Sequence, residues 1–341
     1  MRTMATMLLL AGLVIGGPAP LASEAPQDSG RGQSVIVVVG ASGMPEYAAQ
    51  FTAWAGPWKQ ACEKSDTKFV AIGLDETETP SDRERLQQVI AEQSVESDGA
   101  LWLVLIGHGT FDGRAAKFNL RGPDVSANDL AEWLEPLDRP TAVINTASSS
   151  SPFLKELSAP RRVILVATKS GFEQNFTRFG GYLAEAVIDP EADLDKDGQT
   201  SLLEAFLIAS RAVTEFYAAA GRLATEHALL DDTGDGLGTP ADWFRGIRPV
   251  QKAGDDATLD GYRAHQLHLF YSADEMAMPP ERRARRDQLE LQVMQLRDAK
   301  TGLSEAEYFS RLEPLLEEIA RIYEQSNSQE SSSRGPTSGE S

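Results

Sequence analysis

A histidine between two glycines, Gly107-His108-Gly109, ends the apolar run Ala100-Leu-Trp-Leu-Val-Leu-Ile106. Imidazole is the side chain best suited to move a proton near neutral pH. Glycines on either side let the backbone turn and leave the ring uncrowded. An unbroken apolar run suits a strand covered on both faces of a parallel sheet, and open α/β sheets gather their chemistry at the carboxyl ends of strands. A second run, Thr141-Ala-Val-Ile-Asn-Thr146, stops at Ala147 and then at Ser148, Ser149, Ser150 and Ser151. Two neighbouring strand ends of this kind frame a cleft with His108 as candidate base and Ser148 as candidate nucleophile. A serine hydroxyl needs a well-oriented base, often one with an acidic partner. Asp112 is close enough in sequence to serve, although Asp112-Gly113 is also an ordinary turn pair. Gly109, Ser149 and Glu173 are the candidate substrate contacts, Glu173 reading equally as a solvated loop residue.

A different chemistry is written in Asp193-Leu-Asp195-Lys-Asp197-Gly198-Gln199-Thr-Ser201-Leu-Leu-Glu204. This has the twelve-residue EF-hand spacing, with acids at one, three and five, glycine at six and glutamate at twelve. Asp193, Asp195 and Asp197 would each give one oxygen to Ca2+, Gln199 its carbonyl, Ser201 a direct or water-borne contact, and Glu204 both oxygens. Thr200 departs from the larger apolar residue usual at its position. The expected role is structural, because Glu204 opens the helix 202–220. A second acidic stretch, Asp231-Asp-Thr-Gly-Asp-Gly236, is half such a loop without the distal glutamate and reads as a turn.

Gly107-His108-Gly109, followed one strand later by Asn145-Thr146-Ala147-Ser148-Ser149-Ser150-Ser151-Pro152-Phe153, resembles the caspase-like peptidases, the clan of legumain, caspases and gingipain, in a bacterial form that carries an EF-hand-like loop. The resemblance covers roughly Ser34 to Asp235. It implies a three-layer α/β sandwich with a mainly parallel central sheet, and a site where one strand ends in His-Gly and the next in Ala-Cys. Ala147 stands where the nucleophilic cysteine belongs, and sliding the match by one residue puts Ser148 there. The expectation is an inactive peptidase homologue that binds calcium and a peptide or protein partner. The alternatives are a serine-type hydrolase using His108 and Ser148, and an exported structural module.

The elements that must position these residues alternate. Strands are expected at 34–39, 68–73, 100–106, 141–146 and 162–167, separated by helices from about Glu46, from Pro80-Ser81 and over 126–137. Gly40-Ala-Ser-Gly43 lacks the further residues of a phosphate loop and reads as a strand-to-helix turn. The only cysteine, Cys62, lies in helical spacing with Trp54 and Trp58 and reads as a small buried residue. His265 and His268 have no acidic or cysteine partner spaced for zinc.

Arg2 and the apolar run from Met7 to Ile15, with small residues at Ala19 and 21–23, form a secretory leader over 1–23. A polar linker (24–33) and the α/β domain (34–248) follow. After a connecting segment (249–278) comes a helical hairpin (279–325), which could pair with another copy, and a disordered tail (326–341). The expected location is periplasmic or extracellular, with no membrane anchor once the leader is removed. The 32 basic and 51 acidic residues give a net charge of −19, which repels nucleic acid.

Overall fold

The computed structural model describes residues 32–65, 67–75, 79–96, 99–255 and 257–333. The leader, nearly all of the linker and the chain beyond Ser333 lie outside the described residues.

The chain runs β1 (Ser34–Val39), α1 (Pro45–Ser65), β2 (Lys68–Ile72), α2 (Asp82–Glu96), β3 (Leu101–Ile106), β4 (Gly109–Phe111), β5 (Ala116–Phe118), β6 (Val125–Ser126), α3 (Ala127–Leu134) and β7 (Thr141–Asn145). It continues with α4 (Ser151–Leu157), β8 (Arg162–Val166), α5 (Phe179–Ile188), α6 (Leu202–Ala219), β9 (Leu229–Asp231) and β10 (Thr239–Pro240). After α7 (Tyr262–Gln266) and α8 (Ala273–Ala277) come α9 (Pro280–Asp298) and α10 (Glu305–Ser333). The main sheet has the order β10-β9-β8-β7-β3-β1-β2. Its five strands from β8 to β2 are parallel, with β9 antiparallel to β8 and β10 antiparallel to β9.

Each face of the sheet is covered because alternate strand residues are apolar on both sides. Val35, Val37, Trp102, Val104 and Ile106 pack against Phe51 and Trp58 of α1, Phe179 and Leu183 of α5 and Phe206 of α6. Ile36, Val38, Leu103 and Leu105 pack on the other face against Leu86 and Ile90 of α2, Leu130 and Leu134 of α3 and Phe153 of α4. Full burial of each such side chain stabilises by about 1.5–3 kcal/mol. Helix starts follow the sequence closely. Ser126 and Asp129 form a reciprocal capping box, Ser81 and Glu84 exchange the same bonds before α2, and Ser304 and Glu307 do so before α10. Cys62 is buried as expected, and burial pushes its thiol up to about 12.

The domain does not close at 248: Ala264 and Leu269 belong to the main core, and the Leu202 N–H donates to the Leu267 carbonyl. Helix α10 continues to Ser333. At the start of α9, Arg283 and Arg286 are buried. Arg286 contacts Glu275, Asp287 and Glu290, and Arg283 lies over the Tyr271 ring. These contacts fasten α9 to the connecting segment. The hairpin is antiparallel, since Arg285 near the start of α9 meets Glu318, while Lys300 after its end lies over Tyr308. No helix among the described residues is long and apolar enough to cross a membrane.

Candidate functional site

The carboxyl ends of β3, β7 and β8 lie side by side. His108 leaves β3 into an aromatic surround: Tyr47 at 4.9 Å between ring centroids, Phe51 at 5.2 Å and Phe176 at 6.0 Å. Its Nε2 lies 3.2 Å from the Ser42 carbonyl. Burial draws the imidazole below its usual value, with the Ser42 carbonyl opposing. Asp112 does not orient it. The Asp112 carboxylate accepts the Arg114 and Ala115 N–H groups in a local turn, and those bonds hold it below the usual carboxylate range.

The neighbouring strand end is closed. Ala147 is fully buried, and it packs in the core on the opposite face of the sheet from Phe51. The Ser148 hydroxyl donates to the Gly109 carbonyl at 3.1 Å and accepts the Gly109 N–H at 3.3 Å. Gly109 is required there, because a Cβ would sit 2.2 Å from the Ser148 carbonyl oxygen. The structure thus brings Gly109 and Ser148 together through backbone-directed bonds and directs His108 toward Ser42. Ser149, Ser150 and Ser148 are all buried, against the expectation of a serine-lined cleft that reaches a ligand. Ser149 has φ 54°, its Oγ finds no partner, and its N–H donates to the Glu173 carbonyl at 2.8 Å. The Gly40 turn serves packing: the Ala41 N–H donates to the Asn119 carbonyl, and Gly40 lies against the same oxygen.

Glu173 is no solvated loop residue. Its Oε1 lies 2.5 Å from His227 Nδ1, and its Oε2 accepts the Lys169 N–H at 2.9 Å. These partners are 54 residues apart, so no local spacing announced the pair. The sequence offered only a histidine ahead of an acidic turn.

In the stretch Asp193 to Glu204 the acids gather around one turn. Asp193, Asp195 and Asp197 each bring one carboxylate oxygen within 4.8 Å of the others. Asp193 accepts the N–H groups of Lys196 and Gly198, whose φ values of 65° and 89° make the turn that points the acids together. Glu204 is buried inside the loop. Its Oε1 accepts the Leu194 and Asp195 N–H groups, and its Oε2 accepts the Ser201 N–H and hydroxyl, so Ser201 and Glu204 form a capping box for α6. The Gln199 side chain bridges Asp197 and the Ser272 N–H. His265, unforeseen in this role, places Nε2 3.0 Å from Asp195 Oδ2. Asp195 is held below its usual value by that bond. Asp197 is raised, by burial first and then by the charges of Asp195 and Glu204. This donor set suits a hard divalent cation: three convergent carboxylates and a buried fourth, with like-charge strain that a cation relieves.

No protein-family profile and no curated protein matches the chain. Among solved structures it is similar to the Drosophila initiator caspase Dronc, with a TM-score of 0.40 and 14% identity over 66% of this chain and 93% of that one. It is also similar to caspase-1 from Spodoptera frugiperda, with a TM-score of 0.39 and 9% identity over 65% and 94%. A Geobacter sulfurreducens protein matches with a TM-score of 0.36 and 10% identity over 53% and 89%. At these scores the likeness adds nothing to the geometry above.

Proposed function

We propose that the chain is an exported, calcium-stabilised protein on a caspase-like scaffold, one that binds a peptide or protein partner at the carboxyl edge of its sheet without cutting it. One observation carries the non-catalytic part. The His108 ring is directed toward Ser42 and three aromatic rings, while the next strand end presents a buried methyl at Ala147 and a hydroxyl at Ser148 engaged by Gly109. A peptidase needs a nucleophile free to meet its base; a methyl at position 147 and a Ser148 hydroxyl engaged by Gly109 support the reading that His108 has no such partner. The serine-hydrolase reading has the same gap.

In this reading Asp193, Asp195 and Asp197 hold Ca2+, and Glu204 joins them by giving up backbone contacts. Bound calcium would offset the surplus of negative charge on the loop carboxylates. The heptad-spaced Phe309, Leu316 and Tyr323, exposed on α10, are the surface for self-association. The apolar leader supports export, and the charge of −19 argues against nucleic acid as partner.

The test is a peptide-library digest at several pH values with calcium present, using the native chain, Ala147→Cys and His108→Ala. The expected outcome is no cleavage by the native chain. Cleavage that disappears in His108→Ala would overturn the reading and make a serine the nucleophile.

A further inference from the structure

Away from His108, a cavity of about 400 Å³ opens between α5, α6, β9 and β10. Its volume lies in the range of small-molecule sites. Phe179, Val213 and Leu229 give it apolar walls, and His227 and Ser210 line it as well. One polar group on this lining keeps an atom that the fold does not use. His227 has Nδ1 fixed by Glu173 at 2.5 Å, so in the neutral ring Nδ1 carries the proton and Nε2 is left as an acceptor. A carboxylate behind an imidazole is the arrangement that sets both tautomer and ring orientation.

The charges on the lining narrow the ligand. Lys169 contributes a cation, and Glu226 and Asp242 contribute carboxylates. The Glu226 oxygens are already engaged by the N–H groups of Arg178 and Phe179 at the start of α5 and by the Tyr217 hydroxyl. An ionic ligand of either sign meets a like charge in this space, whereas a neutral hydrogen-bond donor meets none. We infer that the cavity is a binding site for an uncharged, mainly apolar molecule bearing a hydroxyl group, with phenols the best-fitting class. The hydroxyl donates to His227 Nε2, and the ring lies against Phe179, Val213 and Leu229. This site uses neither His108 nor the calcium loop, and it meets the sheet edge assigned to the peptide only at Lys169 and Glu173.

The experiment titrates the full-length chain with p-cresol, toluene and p-toluate by calorimetry, and follows the His227 ring nitrogens by ¹⁵N NMR. Saturable p-cresol binding is expected, about 2–10-fold tighter than toluene, the worth of one hydrogen bond, together with a shift of the Nε2 resonance. His227→Phe should equalise p-cresol and toluene. If that variant does not fold, His227→Gln should still lose the ¹⁵N signature and reduce the preference. Equal affinity for p-cresol and toluene in the native chain, preference for p-toluate, or no saturable binding by any of the three overturns the assignment.

Discussion

Two acidic loops share one backbone and reach opposite ends. In the first, Asp193 accepts the N–H groups three and five residues on, Lys196 and Gly198, and Asp197 accepts Gln199 N–H. In the second, Asp231 accepts those of Gly234 and Gly236, and Asp235 accepts Leu237 N–H. The turns match; the destinations of the acids do not. Asp195 stands at the third position of the first loop, and its carboxylate joins the convergent trio. Thr233 stands there in the second, and its hydroxyl turns back to Asp231. The second loop then spends its acids inward. Asp231 also accepts the Ser158 hydroxyl, Asp232 accepts the Gly261 and Ala264 N–H groups around the start of α7, and Asp260 accepts Asp232 N–H and the Thr239 hydroxyl. Acidic spacing therefore specifies a turn, and the further partners of the acids separate a convergent trio from an internal lock.

The largest expected effect probes the lock with pH. Burial, and then the charge of Asp232, pushes Asp260 up to about 8. In the unfolded chain the same carboxyl ionises near pH 4. Between those values the folded state holds the extra proton. Its stabilising contribution is full below about pH 4 and is lost as the pH rises toward 8, by at most roughly 1.4 kcal/mol per pH unit. Urea titrations at pH 5 and 7.5 should show this decline in the native chain and a shallower one in Asp260→Asn, which keeps the hydrogen-bonding shape. Parallel slopes would show that the lock holds no such proton. Next, Asp232→Ala strips two buried N–H partners around α7 and should cost about 3 kcal/mol in a denaturant midpoint series.

The first loop should respond to metal instead. Calcium at a hundredfold excess over its dissociation constant should add about 2.7 kcal/mol, read as a difference between melts with calcium and with chelator. Asp195→Ala should remove that difference, and coincident melts in the native chain would reduce the cradle to an acidic turn. The smallest effect sharpens the contrast. Thr233→Asp restores the third acid to the second loop, but the Asp231 oxygens there are already engaged. A loss below about 1 kcal/mol and no calcium-dependent shift are expected. A calcium shift in that variant would mean that one residue alone separates the two loops.

Much of the fold was legible because strong local signals agreed. Continuous apolar runs marked β1, β3, β7 and β8, and serine–acid spacings marked the starts of α2, α3 and α10. The edge strands β9 and β10 were not legible, since three and two residues carry too little periodicity. The domain limit at 248 failed for a related reason: Ala264 and Leu269 enter the core from a segment without a sustained apolar pattern. At the site, spacing located the three loop aspartates. It could not show that His265 reaches Asp195 across 70 residues, or that Glu173 turns to His227. Nor could it show that the Ser148 hydroxyl serves Gly109, because that depends on how closely two strand ends approach.

The start of β1 has a consequence for timing. Strand β1 lies between β2 and β3, and the residue before it, Gln33, accepts Trp102 Nε1–H and donates to the His268 carbonyl, 235 positions downstream. Arg139 adds a bond to the Gly32 carbonyl. Ribosomes deliver a chain from its amino end, so the first strand made is among the last to be completed. Its flanks must wait for β2 and β3, and its clamp must wait until the connecting segment exists. Contacts so distant in sequence close late and slowly. A chain built this way leaves the entry to its first strand unclamped until its connecting segment has been made.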